Sequence, residues 1–247
     1  RWNQGPLQSF LIEITAKIFR KRDDETGAPL VEKVLDKAGQ KGTGKWTAQV
    51  ALDLAVPIPT IAAAIDARVL SSMKTERVSA SRVLRVEPAA PAGALSESDI
   101  HDALYAAKIC SYAQGFALMQ AGSREWNWSI DMREIARIWK AGCIIRAKFL
   151  DSIMRAYERR ADLPNLLLDD TFRDELTRTN PAWRRCVTFA QSAGIPTPAF
   201  SSSLAYFDSY RTADLPQNLT QAQRDFFGAH TYERNDRESG FVHSEWE

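Results

Sequence analysis

Apolar residues recur at helical spacing along nearly the whole chain, and this restricts the fold more than any other feature. Leu7, Phe10, Leu11, Ile14, Ile18 and Phe19 follow that spacing behind Pro6, a suitable first-turn residue. The charged stretch 20–25 and Gly27-Ala28-Pro29 end the segment. A short apolar run, Leu30 to Leu35, leads into a glycine-rich loop, and a second helix is expected from near Lys45 to before Pro57. Pro59 and Thr60 open a single long run to about Leu84. Residues 85–93, with Pro88 and Pro91, read as a surface loop. Ser96 and Ser98 are helix starts for a run that reaches Gly122. Further helices are expected over 131–140, 142–157, 181–193, 199–211 and 220–227. Few strand-like alternations survive, so the expected fold is an all-α bundle.

The bulk numbers exclude several classes. Lys+Arg 32 against Asp+Glu 31 lacks the basic surplus of a nucleic-acid binder. No apolar run of about 18 residues is present, so no membrane span is expected. The first residues, Arg1-Trp2-Asn3-Gln4, carry neither a signal pattern nor an initiator Met, so a fragment or processed product is expected. The three cysteines, Cys110, Cys143 and Cys186, lie far apart among apolar neighbours and read as buried small hydrophobes in a reducing, cytoplasmic setting. With only His101, His230 and His243, no metal site is expected. No GxGxxG follows a strand, so this chain cannot by itself cradle a dinucleotide in the Rossmann manner.

Three places could carry chemistry. In Gln40-Lys41-Gly42-Thr43-Gly44-Lys45-Trp46, glycines let the backbone approach an anion, successive N–H groups and Thr43 can donate to it, and two lysines add charge. The same composition also makes a plain surface turn. Arg68 stands three residues from Ile65 on an otherwise apolar helix, where it either pairs with a carboxylate or meets a ligand. In Gln223 to Tyr232, Arg224 and His230 flank a helix exit, as an anion-binding pair or as a cap and a surface histidine. Trp126, Trp128 and Trp139 read as core or helix-contact residues, Arg184 and Arg185 as a solvated face, and Asp208 as a paired or capping group. The last segment, 228–247, mixes charge with Phe241, Val242 and Trp246. It reads as a loose terminus or as a tail that packs on a partner.

The strings GQKGTGKWT (39–47), ALDLAVPIP (51–59), ARVLSSMKTER (67–77), SYAQGF (111–116), GCIIRAKFL (142–150), and YFDSYR with LTQAQRDFFGAHTYER (206–234) resemble the 6-phosphogluconate dehydrogenases, in order and spacing over nearly the whole chain. The resemblance implies an all-helical domain over 1–227 and a tail, 228–247, that packs on the partner subunit of a homodimer. It also implies an NADP-dependent, cytoplasmic enzyme of the pentose phosphate pathway that oxidises and decarboxylates 6-phosphogluconate, without a metal. The Rossmann domain that binds NADP, and the general-base Lys and general-acid Glu, are expected upstream of Arg1, so no catalytic residue is expected in this chain, which alone should be inactive. The substrate grip carries over: Lys41 and Arg68 bind the phosphate end within one subunit, with Thr43 assisting through its loop, and Arg224 and His230 reach the partner's site. Lys108 echoes the spacing of the catalytic helix but lacks its His-Asn pair, and Gly115 stands where the glutamate would be. It reads as part of a non-catalytic copy from an ancient duplication. Two other readings compete: a related β-hydroxyacid dehydrogenase domain, and a non-catalytic helical dimerisation module.

Overall fold

A computed structural model of the chain describes residues 1–247 except Gln40, Ala90, Ala92 and Ser239. What was expected of Gln40 in the glycine-rich loop, of Ala90 and Ala92 in the 85–93 loop, and of Ser239 in the tail lies outside the described residues. The described residues are all-α apart from one two-stranded sheet and short 3₁₀ turns. They divide by contacts into two compact units, Arg1–Tyr206 and Phe207–Glu247. The last helix therefore groups with the tail, whereas the sequence reading placed it with the domain over 1–227.

In the first unit, helix α1 spans Phe10–Arg20 and starts later than Pro6 suggested, because the Ser9 hydroxyl accepts from the Ile12 N–H and sets the cap. α2 spans Gly42–Asp53, so the glycine-rich segment is the helix's first turn and not a loop ahead of it. The long run expected over 59–84 is two helices, α3 Pro59–Ser72 and α4 Lys74–Val83, broken at Met73. α5 spans Glu97–Glu125 and begins in a capping box between Ser96 and Asp99. α6 spans Met132–Trp139 behind an Asp131 cap. α7 spans Phe149–Arg159 and not 142–157. Its expected first turns are diverted because Phe10 N donates to Arg146 O and Lys148 N to Gln8 O, an antiparallel bridge no helix can share. α8 spans Asp170–Ser192, starting well before Pro181, which sits inside it. Asp169 caps it, and the Arg159 guanidinium holds that carboxylate at 2.6 Å. An internal proline costs the helix a hydrogen bond. The burial of Leu176, Thr179, Ala182 and Trp183 on either side of it holds α8 together. α9 spans Pro198–Tyr210 and crosses the boundary between the units.

The core is the seam between α5 and α8. Ala103, Ala106 and Ala113 on α5 are fully buried, and such small residues let a second helix approach closely. Aromatic rings then tie in α6 and α7. Phe116 meets Trp139 at 5.7 Å and Tyr157 at 5.5 Å, and Phe149 meets Tyr112 at 5.0 Å and Phe172 at 5.2 Å. Trp139 is thus a helix-contact residue, whereas Trp126 and Trp128 are exposed and lean on each other at 4.6 Å. Cys110 and Cys186 are buried and Cys143 half-buried, all as free thiols, and burial pushes the Cys110 thiol well up.

Beside this core lies an apolar cavity of 530 Å³, lined by Leu7, Ile61, Phe116, Trp139 and Phe200 among others, and Lys108 faces it from α5. The Lys108 Nζ is buried without a hydrogen-bond partner, 5.2 Å from the Phe149 ring centroid, and burial drives its pKa down to about 8. The charged form is destabilised in the fold, so Lys108→Met is expected to raise stability at pH 7 by about 2 kcal/mol. Because the folded pKa lies below the unfolded one, that gain is complete below pH 8 and fades between pH 8 and 10.5, where the folded lysine gives up its proton while the unfolded one still holds it. Thermal unfolding of both proteins between pH 7 and 10.5 checks it.

In the second unit, α10 spans Gln217–Gly228. The tail then forms a small antiparallel hairpin, β1 Tyr232–Glu233 with β2 Phe241–Val242, pairing Tyr232 with Val242.

Candidate functional site

Lys41 is the N-cap of α2 and its side chain caps nothing, so the first-turn N–H groups of Gly42, Thr43 and Gly44 keep no side-chain partner from that position. Orphan N–H groups at the positive end of a helix favour an anion. A Cβ on Gly42 would stand 3.1 Å from the Trp46 ring, so only glycine admits that ring against the turn. Gly44 faces Ile65 of α3, where a Cβ would be 3.4 Å from Ile65 Cγ1. That close approach sets the first turn of α2 on the helix that carries Arg68.

Arg68 is exposed, and its Nη2 donates to the Gly39 carbonyl at 2.8 Å. The guanidinium is thereby tied to the backbone two residues before Lys41. Among the described residues it pairs with no carboxylate, so the internal salt bridge left open by the sequence is not the arrangement found. Two further contacts fix this approach strand. The Ser71 hydroxyl accepts from Ala38 N and donates to Ala38 O, while Lys74 and Arg77 of α4 both reach Asp36. Hydrogen bonds from the Lys74 ammonium and then the Arg77 guanidinium hold the Asp36 carboxyl down at about 2. Lys41, Thr43, Lys45 and Arg68 are all exposed, so their cationic and hydroxyl donors face solvent around one helix N-terminus.

Arg224 and His230 both lie in the second unit. Arg224, in the last turns of α10, is exposed and donates to Gln221 Oε1 at 3.1 Å. The helix ends at Ala229 in the left-handed conformation, with φ 48°. His230 then turns back: its ring lies against Gly228, where a Cβ would be only 2.8 Å away, and edge-on to Phe227 at 5.8 Å. Lys41 and Arg68 thus belong to the first compact unit, where Arg68 is tied to the backbone at Gly39, and Arg224 and His230 belong to the second.

Three functional supports carried no sequence signal. Gln114 of SYAQGF is wholly buried and bonds both the N–H and the hydroxyl of Thr60 at the start of α3. Asp36 anchors the strand before Lys41. Asp225, next to Arg224, is wholly buried and accepts four hydrogen bonds from the tail. Nothing in the sequence around Asp36 or Asp225 singles them out, and only burial or pairing distinguishes them. Of the residues read as structural, Arg185 pairs with Asp99, Arg184 bonds Asn180 at 2.8 Å, and Asp208 pairs with Arg211.

The described residues thus form an all-helical unit with a cationic helix N-terminus and a second unit with an Arg and a His at a helix exit, and comparison with known proteins specifies the family. A family model described as 6-phosphogluconate dehydrogenase, C-terminal domain, matches residues 1–246, and the chain belongs to that family. It is 56% identical over 248 residues to the NADP(+)-dependent, decarboxylating 6-phosphogluconate dehydrogenase of Bacillus subtilis (strain 168), covering 99% of this chain and 53% of that protein. It is 54% identical over 254 residues to the chloroplastic decarboxylating 6-phosphogluconate dehydrogenase 1 of Arabidopsis thaliana, covering 99% of this chain and 52% of that one. Among solved structures, Plasmodium falciparum 6-phosphogluconate dehydrogenase, studied in its apo form and in complex with NADP+ and with 6-phosphogluconate, superposes with a TM-score of 0.95. The identity there is 48%, over 99% of this chain and 53% of that one. The chain spans about half the length of the curated relatives it matches.

Proposed function

We propose that this chain is the substrate-binding and dimerisation portion of an NADP-dependent 6-phosphogluconate dehydrogenase, which converts 6-phosphogluconate to ribulose 5-phosphate and CO2. The observation that carries the reading is 56% identity over 99% of the chain to an enzyme of that name. In this reading NADP+, bound mainly by an N-terminal half, accepts the hydride from C3, and no metal takes part. Lys41 and Arg68 grip the phosphate of the sugar acid in one subunit, beside the N–H groups of Gly42 to Gly44. Arg224 and His230 reach the site of the other subunit of a homodimer. Their exposure supports this, since neither pair is spent on an internal carboxylate among the described residues. The second unit carries Phe226 and Phe227 on α10 and Phe241 in the tail, each more than half exposed, apolar surface of the kind that a second copy covers. A non-reacting phosphate held by several cations supplies binding energy that orients C3 for transfer.

The chain alone is expected to form no NADPH from 6-phosphogluconate, lacking a general base and a coenzyme fold. Joined to an N-terminal half from a relative, it is expected to oxidise 6-phosphogluconate in strong preference to unphosphorylated 3-hydroxy acids. Activity of the chain by itself, or preference for an unphosphorylated acid, contradicts the reading.

A further inference from the structure

His230 is bracketed by two non-glycine residues in the left-handed region, Ala229 at φ 48° and Thr231 at φ 62°. Each such residue carries backbone strain, and strain of this kind persists only where surrounding contacts over-determine it. The contact that does so is Asp225. Its Oδ1 accepts from Thr231 N at 3.0 Å and from His243 Nδ1 at 2.9 Å. Its Oδ2 accepts from Ser244 N at 3.0 Å and from the Trp246 indole at 2.9 Å. The carboxylate is inaccessible to solvent, so its charge is balanced by these donors and not by water. Three of the four come from residues 243–246, far along the tail from the turn they stabilise. The hairpin closes that distance, with Tyr232 opposite Val242 and the Tyr232 hydroxyl bonded to Ser244 Oγ at 2.7 Å.

We infer that Asp225 is a positioning residue, and that the final residues of the chain act through it as a latch that holds His230 in its pose against Gly228 and Phe227 at the exit of α10. Neither Asp225 nor residues 243–246 touches the ligand in this scheme. They fix the strained Ala229–Thr231 turn, and His230 presents its ring from it. The inference that this matters for phosphate binding rests on the function proposed above, whereas the latch itself does not.

Asp225→Asn tests the latch sharply. With its NH2 toward Ser244 and Trp246 the amide turns two hydrogen bonds into repulsive contacts, and with its NH2 toward Thr231 it turns at least one, since His243 Nδ1 can change tautomer and accept. A chain ending at Val242 removes the three donors of residues 243–246 directly. Trp246→Phe is the mild variant, since it loses one indole donor and keeps a ring against Tyr232. Only three histidines are present, so the imidazole signals are separable by NMR in the ligand-free chain. In Asp225→Asn and in the truncated chain, the His230 signals are expected to move toward those of a peptide of residues 224–234, while His101 stays in place. Trp246→Phe should move them the same way by less. In a full-length enzyme carrying these residues, Asp225→Asn should raise KM for 6-phosphogluconate by about tenfold with kcat changed less than about twofold. His230 signals unmoved in all three variants overturn the latch. Moved signals, with KM unaltered in both Asp225→Asn and His230→Ala, leave the latch standing and overturn the substrate role of His230.

Discussion

Replacing Arg68 with alanine is expected to weaken 6-phosphogluconate binding by at least about tenfold, near 1.4 kcal/mol, in a full-length dimeric enzyme. The effect should be large because a guanidinium bonded to a phosphate makes charge-assisted hydrogen bonds of about 1.5–3 kcal/mol net each. It should also be clean. Arg68 is exposed, and its one side-chain bond among the described residues goes to the Gly39 carbonyl, which water can satisfy in its place. Helix content and thermal stability should therefore stay close to those of the wild type. Arg68→Lys keeps the charge but cannot hold both the carbonyl and the phosphate with a planar fork, so it should recover only part of the affinity. Titration calorimetry at two salt concentrations checks the assignment, with the wild type losing affinity faster as salt rises.

Gln114→Leu is expected to destabilise the first unit by about 2–4 kcal/mol, a loss of buried hydrogen bonds and not of volume. α3 has no capping side chain of its own, because its N-cap is Ile58. Gln114 replaces that cap from α5: its Oε1 accepts from the Thr60 N–H at 3.0 Å, and its Nε2 donates to the Thr60 hydroxyl at 2.8 Å. Both groups are buried, so leucine leaves a donor and a hydroxyl stranded in the interior. The double variant Gln114→Leu with Thr60→Val restores the hydroxyl side of the mismatch and should recover part of the loss. Chemical denaturation of the four proteins of this cycle measures the coupling directly. Since α3 also carries Arg68, the single variant should loosen the Lys41–Arg68 pair as well.

Both residues show where the sequence was legible. Helical spacing pointed to the all-α class, and Ser96 marked the start of α5. The starts of α7 and α8 follow contacts distant in sequence and not the local signals, whereas α1 starts at a local cap, Ser9, and α2 at its glycines. Pro181 reads as a first-turn residue, yet burial on both sides carries the helix through it. Residues 142–148 have helical spacing, yet they pair with residues 8–10. The glycines at 42 and 44 suggested a loop, but the chain begins α2 there, and Gly44 serves contact with Ile65. The cations of the candidate site were legible because charge on a glycine-rich or apolar background stands out. Their supports were not. Gln114, Asp36 and Asp225 act through what surrounds them, and no local pattern records that Asp225 collects donors from the chain's last residues.

The central claim is a phosphate grip divided between two chains, and mixing two defective subunits tests it. Full-length subunits carrying Arg68→Ala are combined with subunits carrying Arg224→Ala, and NADPH formation is measured at low 6-phosphogluconate. In each mixed dimer, one site would hold both defects, and the other would hold an intact Arg68 and an intact Arg224 of the partner subunit. Random mixing is then expected to restore about a quarter of wild-type activity. A mixture no more active than the average of its two parents would place both arginines in one chain's site and contradict the account.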